Sequence, residues 1–116
     1  MRENVIQQKS YQFALKTIKL CRLLREQKEF TLSQQLLDSG TSIGANVEEA
    51  IGGASKKDFI AKMNIACKEA RESNYWLRLL RDSNTCPAVD LNEIIQDSEA
   101  LKKILHSIVK SSRQNS

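Results

Sequence analysis

The chain has 116 residues, which suits one domain over residues 1–116 and leaves no room for a second core. Eighteen Lys and Arg against fourteen Asp and Glu give a net charge of +4, and 41% hydrophobic residues with 28% charged ones exclude a disordered tail. One proline, four glycines and 5% aromatic residues are too few for the frequent turns of a β-sandwich or β-barrel. We therefore predict an all-α protein.

Membrane and secretory segments are not evident in the sequence. No apolar run approaches the roughly 18–20 residues that span a bilayer, and the first residues contain no apolar secretory core. We expect a cytoplasmic protein without a membrane partner.

The three cysteines, Cys21, Cys67 and Cys86, are widely spaced and accompany a single histidine. This favours reduced structural thiols over disulfides or a zinc site.

The first predicted helix runs from about residue 4 to 27 and is apolar on two sides. Its core stripe recurs at helical steps and comprises Ile6, Phe13, Thr17, Leu20 and Leu24. A second set is displaced by more than a quarter turn and comprises Tyr11, Ala14, Ile18 and Cys21. A four-helix domain needs one apolar stripe per helix, so the second set indicates a surface that meets another subunit or a different protein.

The second helix is predicted from about residue 31 to 52. Thr31 and Gln34 match the T-x-x-Q capping box, and Gly52 with Gly53 ends the helix. Its apolar face comprises Leu32, Leu36, Gly40, Ile43, Val47, Ala50 and Ile51. Each glycine within a helix costs roughly 1 kcal/mol relative to alanine, so tight packing against a neighbour is expected at Gly40 and Gly44.

The third helix is predicted from about residue 55 to 82, with Ser55 and Asp58 at its start. Its core seam alternates steps of four and three through Phe59, Met63, Ala66, Ala70, Ser73, Leu77 and Leu80. A different side carries Ile65, Trp76 and Leu79 together with Glu69 and Glu72. We predict that Ile18 of the first helix and Ile65, Trp76 and Leu79 of the third form an oligomer interface.

The fourth helix is predicted from about residue 90 to 110, where Asp90 and Glu93 form a D-x-x-E capping box. One face carries Leu91, Ile94, Ser98, Leu101, Leu105 and Ile108. We expect the polar tail from residue 111 to 116 to fray. Four amphipathic helices with short connections favour an antiparallel up-and-down bundle.

No set of residues amounts to a catalytic or metal site. A di-metal bundle needs paired E-x-x-H motifs, and His106 is the only histidine. We therefore predict no enzyme, no metal and no cofactor. The carboxylates Glu69 and Glu72 are expected to pair with Lys68, with Arg71 or with a neighbouring subunit.

Basic residues concentrate on the first helix, where Lys16, Lys19, Arg22 and Arg25 follow one another at steps of three. Such clusters are typical of nucleic-acid binding, and solvated helix faces have the same pattern, so both interpretations stay open. The aromatic residues are not arrayed for base stacking, so contact with RNA or DNA would mainly involve phosphates.

One run near the end of the second helix, from Ser42 to Ala50, reads S-I-G-A-N-V-E-E-A. It resembles the S-I-P-S-N-I-A-E-G signature of bacterial four-helix bundle proteins first noticed in intervening sequences of large-subunit ribosomal RNA genes, and Ser42, Ile43, Asn46 and Glu49 match directly. The downstream K-E-A at residues 68–70, then Glu72 and Y-W-L-R-L-L at residues 75–80, is similar to a widespread branch of that family. With Phe13-Ala14, the resemblance covers about residues 11 to 81.

The resemblance implies a left-handed up-and-down four-helix bundle assembled as a homopentameric ring. Accessory proteins of diversity-generating retroelements are related and form basic rings that bind nucleic acid and a reverse transcriptase. Many members carry a basic pair where this chain has Leu37 and Asp38. For Ser42, Asn46 and Glu49 we expect a structural role, in which hydrogen bonds tie the second helix to a neighbouring helix or subunit.

Two functions follow from these observations. The first is a non-enzymatic oligomeric scaffold that binds RNA or DNA phosphates through Lys16, Lys19, Arg22 and Arg25. The second is a scaffold for protein–protein interaction, in which an unknown protein partner meets the helix faces and the charge serves solubility.

Overall fold

A computed structural model describes the backbone of residues 2–115 and the side chains of residues 5–115. The chain forms four helices: α1 (Arg2–Glu26), α2 (Thr31–Ile51), α3 (Lys56–Asp82) and α4 (Asn92–Gln114). No strand occurs between residues 2 and 115. The predicted all-α class is therefore confirmed, and the arrangement is consistent with a four-helix bundle.

The four helices form an elongated body of 46 × 21 × 20 Å. They are arranged in a cycle, with each helix beside the next and the last beside the first. Each helix packs along the next one in the chain, and α4 returns to α1, whereas in the described part no Cα atoms of α1 and α3, or of α2 and α4, lie within 8 Å of each other. The α1 and α3 helices thus occupy diagonal corners. Their outer faces consequently point to opposite sides of the molecule.

The core consists of the apolar stripes that the sequence predicts. The predicted stripe of α1 is fully enclosed from Ile6 to Leu24, as is that of α3 from Met63 to Leu80. Ile51, at the end of α2, is an exception because the helix stops there and leaves its side chain 39% exposed. A polar group completes the α3–α4 contact: the buried Asn74 amide donates to Ser98 Oγ at 2.9 Å and to Glu99 Oε1 at 2.7 Å.

The helix starts differ in how they are capped. At α3, Ser55 Oγ accepts from the backbone N–H of Asp58 at 3.0 Å, as the S-x-x-D pattern predicts. The capping box predicted at Thr31 is wrong, because Glu29 supplies the carboxylate that accepts from Leu32 N at 3.1 Å. Gln34 instead donates to Asp38 at 2.8 Å on the surface of α2.

The fourth helix also differs from the prediction at both ends. Asp90 Oδ1 accepts from Asn92 N at 2.9 Å, so it caps the first turn, but Glu93 does not complete the box because its carboxylate binds another helix. The tail does not fray within the described residues, since α4 continues to Gln114. Its last turns are held by the buried Val109 and by Lys56 Nζ, which donates to the Asn115 carbonyl at 2.6 Å.

Candidate functional site

The basic residues of α1 differ in their surroundings. Lys16 Nζ lies 2.7 Å from Asp97 Oδ2 and 2.7 Å from Glu93 Oε1, so it bridges α1 to α4. Hydrogen bonds with Asp97 and then Glu93 raise the pKa of Lys16 above its ordinary value. This lysine is already neutralised within the chain and offers less charge to a phosphate than the sequence suggests.

The other three residues of the predicted basic series on α1 are exposed, namely Lys19, Arg22 and Arg25. None of them forms an ion pair with a carboxylate among the described residues. Steps of three residues rotate each successive side chain by about 60°, so the series from Lys16 to Arg25 turns through roughly half of the helix circumference. The structure therefore does not gather the four predicted residues on one face. Arg25 also stacks 5.3 Å above the Phe30 ring.

Apolar side chains occupy the middle of the outer face of α1. Tyr11 is 61% exposed and Leu15 is 47% exposed, and Ile18 beside them is half-buried. The second apolar set predicted for this helix includes Tyr11 and Ile18 but omits Leu15. That set also includes Cys21, which lies in the core, where its thiol donates to the Ser33 carbonyl at 3.3 Å.

The outer face of α3 carries a second apolar patch. Ile65 is 39% exposed and Leu79, about four turns further along the helix, is 36% exposed; the interface predicted through them stays a prediction. Tyr75, which the sequence reasoning missed, is 48% exposed and contacts Trp76 edge-on with ring centroids 5.1 Å apart. Trp76 packs partly against the core, yet its buried Nε1–H has no acceptor in the described structure.

Two carboxylates lie on the same side of α3 as Trp76. Burial, then repulsion from Glu72, raises the pKa of Glu69, and Asp38 of α2 acts in the same direction. Lys68 attracts Glu69 without reaching ion-pair distance, and neither Glu69 nor Glu72 forms an ion pair within the described residues. Within the chain this surface is therefore acidic and unneutralised.

The family-motif residues of α2 bond within their own helix. Ser42 Oγ donates to the Asp38 carbonyl at 2.6 Å, and Asn46 Nδ2 donates to the Ser42 carbonyl at 2.9 Å. Glu49 is exposed. No hydrogen bond of these three side chains reaches another helix in the described part of the chain. The predicted hydrogen bonds to a neighbouring helix of the same chain are therefore not formed. Bonds to a neighbouring subunit stay a prediction.

The α1–α4 contact is the sparsest in the bundle and leaves an open groove. Two cavities of about 350 and 360 Å³ lie along this groove, and Lys16 borders both of them. Phe13 and Leu101 line the first cavity, and Leu20 and Ile94 line the second. The sequence could not reveal this groove, because it depends on the distance between helices far apart in the chain.

Metal ligands do not converge anywhere in the described structure. No group of three or more His, Cys, Asp or Glu side chains there could hold a metal ion. His106, the only histidine, is exposed on α4. In the described residues no helix is both long and apolar enough to cross a membrane.

These features define a small all-helical protein with apolar side chains exposed on α1 and α3. The sequence model of the family described as 23S rRNA-intervening sequence protein matches residues 2–107. The chain therefore belongs to that family, as the S-I-G-A-N-V-E-E-A motif indicates.

A solved structure has the same fold over nearly the whole chain. It is a protein with unknown function from the S23 ribosomal protein family of Bacteroides thetaiotaomicron. The two chains are 46% identical and superpose with a TM-score of 0.86, covering 95% of this chain and 99% of the other. No curated protein matches the sequence.

Proposed function

We propose that the protein is a non-enzymatic scaffold that assembles from several copies of itself. The observation that carries this proposal is the exposure of Tyr11 and Leu15 on α1 and of Ile65 and Leu79 on α3. Tyr11 and Leu15 lie one turn apart on α1, as Tyr75 and Leu79 do on α3, and such neighbouring exposed apolar side chains mark surfaces that another molecule covers.

The proposed subunit is a left-handed bundle whose helices alternate up and down. The order of contacts between α1 and α2 supports the alternation, because Cys21 meets Ser33, Thr17 meets Gly40 and Ser10 meets Gly44. Residue numbers thus increase along α2 as they decrease along α1, which is the order expected for two helices that run in opposite directions. Five copies in a ring is the assembly that the family resemblance implies, and such a particle would carry five times the +4 charge of one chain.

Sedimentation velocity over a range of protein concentrations tests self-association. We expect the wild-type chain to sediment as an oligomer, and Leu15→Glu or Leu79→Glu to shift it toward the 13.2 kDa monomer. Lys103→Glu on the exposed face of α4 is the matched control and should leave the mass unchanged. A wild-type chain that is monomeric at every concentration would overturn the proposal.

Binding of RNA or DNA is the second proposed activity of the scaffold. It is supported by the net charge of +4 and by the exposed, unneutralised Lys19, Arg22 and Arg25. Phosphate contacts release counterions, so affinity should fall steeply with salt, by a log–log slope of about 0.9 for each phosphate neutralised. Fluorescence anisotropy with mixed-sequence RNA and DNA across a salt series tests this activity.

The alternative is that the scaffold binds another protein instead of nucleic acid, and the same anisotropy experiment distinguishes the two. If the oligomer binds neither RNA nor DNA even at low salt, the charged surface serves solubility and the scaffold presents its helix faces to another protein. We place the scaffold in the cytoplasm, which the three buried cysteines Cys21, Cys67 and Cys86, all present as free thiols, support.

A further inference from the structure

A basic face, separate from the cations of α1, lies along the contact between α3 and α4. On α3, Asn74 reaches across to α4, and Arg71 and Arg78 are turned from it by only about 60° and 40°. On α4, three lysines lie within about 60° of Glu99, which the same amide contacts. We define the α3–α4 basic face by these five cationic side chains, which are Arg71, Arg78, Lys102, Lys103 and Lys110.

The carboxylates of α3 lie on a different side of that helix. Glu69 and Glu72 are turned from Asn74 by about 140° and 160°, toward α2 and solvent. The acidic surface beside Trp76 and the α3–α4 basic face are therefore separate surfaces of the same helix.

A buried hydrogen-bond network holds two of the cations in place. Asn74, which is 1% exposed, accepts from Arg78 Nε at 2.8 Å and donates to Glu99 Oε1 at 2.7 Å. Lys102 Nζ lies 3.5 Å from the same Glu99 oxygen. The terminal nitrogens of Arg78 form no hydrogen bond with the described residues, so they can donate to the two oxygens of a phosphate.

Most of the positive charge of this face is not neutralised within the chain. Arg71, Lys103 and Lys110 are exposed and form no ion pair in the described part of the molecule. Glu99 offsets one of the five cations, whereas Glu93 and Asp97 of α4 are directed to Lys16 of α1 instead. The acidic and basic side chains of α4 are thus separated onto two sides of the helix.

The cations extend along a large part of the bundle. Asn74 meets Ser98 and Lys56 meets Asn115, which is the order expected for helices that run in opposite directions. Arg78 therefore lies four residues to one side of this level and Lys110 twelve to the other, a span of about 24 Å at 1.5 Å per residue. Phosphates of a duplex strand follow one another every ~3.4 Å along the axis, so several can meet this face.

The composition of the face favours a nucleic acid over a protein or a membrane. Among the described residues α4 has no exposed large apolar side chain. A protein interface has an apolar core, and a helix that lies on a membrane inserts apolar side chains. A nucleic acid needs neither, because cations that contact its phosphates gain affinity by releasing counterions.

We propose that the α3–α4 basic face binds the phosphate backbone of a nucleic-acid strand. This inference rests on the proposed nucleic-acid binding and gives it a surface beyond Lys19, Arg22 and Arg25 of α1. Phosphate contacts do not read the bases, so mixed-sequence RNA and DNA should both bind.

Charge removal on this face tests the assignment. In fluorescence-anisotropy titrations of the full-length protein across a salt series, Arg71→Gln and Lys103→Gln should each lower the log–log salt slope of affinity by about 1. Lys9→Gln is the matched control, because it removes the same charge from α1, where Lys9 borders the α1–α4 groove. It should leave the slope unchanged, and circular dichroism and light scattering should match the wild type for every variant.

The other outcomes separate this face from nucleic-acid binding in general. A wild type that binds RNA or DNA while both variants keep its salt slope would overturn the α3–α4 basic face and leave binding through α1 standing. A wild type that binds polyglutamate as tightly as RNA at the same salt would overturn the assignment to phosphates. No binding of RNA or DNA even at low salt would overturn both proposals.

Discussion

The side chain of Thr17 on α1 fills the space that a Cβ atom on Gly40 of α2 would occupy. A Cβ built on Gly40 lies 2.7 Å from Thr17 Cγ2 and 2.8 Å from Thr17 Oγ1. Thr17 is fully buried, so a shift of its side chain would disturb the residues packed around it. Gly40 thus permits the close approach of α1 and α2 that the sequence predicts.

Gly40→Ala should therefore destabilise the protein. Overpacking a core costs roughly 1–3 kcal/mol, which exceeds or offsets the ~1 kcal/mol that alanine gains in helix propensity. We expect a net loss of roughly 1 kcal/mol in the free energy of unfolding, measured by urea titration.

Gly44→Ala is the matched control, because a Cβ there lies at an ordinary 3.5 Å from the Ser10 carbonyl oxygen. It should stabilise α2 by up to about 1 kcal/mol. Equal effects of the two substitutions would contradict the account of the α1–α2 contact.

Cys21 should make the free energy of unfolding depend on pH in the alkaline range. Burial raises the pKa of its thiol from 9.0 to about 11. Between these values the unfolded chain loses the thiol proton before the folded chain does, so stability falls as pH rises from about 9 to 11. Cys21→Ala should flatten that part of the stability profile in thermal melts. The native thiol should also react slowly with a thiol reagent at pH 8, and fast labelling would refute its enclosure.

Lys16 and Lys19 should differ in nucleic-acid binding. Lys16 is paired with Asp97 and Glu93, whereas Lys19 is exposed and has no ion pair in the described structure. Lys19→Gln should reduce the salt slope of RNA or DNA affinity by about 1, and Lys16→Gln should leave it unchanged. The two variants are matched in charge, so a larger effect of Lys16→Gln in the anisotropy titration would show that its ion pair does not hold.

Asn46→Ala should weaken assembly more than it weakens the folded subunit. The Asn46 amide bonds only its own helix, at the Ser42 carbonyl, and alanine is the better helix former. The thermal unfolding of the dilute protein should change little, while the oligomer mass falls. A variant that keeps the wild-type mass would remove the proposed intersubunit role of the motif.

The sequence predicted the core because burial there follows helical periodicity. Phe13 of α1 and Leu77 of α3 lie on stripes that only one face of a helix can produce, and both are enclosed. Local capping was less predictable. One free N–H group of α2, that of Leu32, donates to Glu29, which precedes the helix, and the Thr31 side chain forms no capping bond.

The outer faces were only partly predictable for a different reason. Periodicity separates two sides of a helix but does not say which neighbour covers each side. Cys21 therefore entered the predicted outer set although α2 covers it, and Leu15 was omitted although it is exposed. The pairing of Lys16 with Glu93 joins residues 77 positions apart and depends on how α4 returns to α1.

Native mass spectrometry of the full-length wild-type protein tests the central claim most directly, because it counts subunits in the intact assembly. We predict a homo-oligomer, with five chains of 13.2 kDa as the expected assembly. A spectrum that contains only the 13.2 kDa chain at micromolar concentration would contradict the claim that the protein is a self-assembling scaffold.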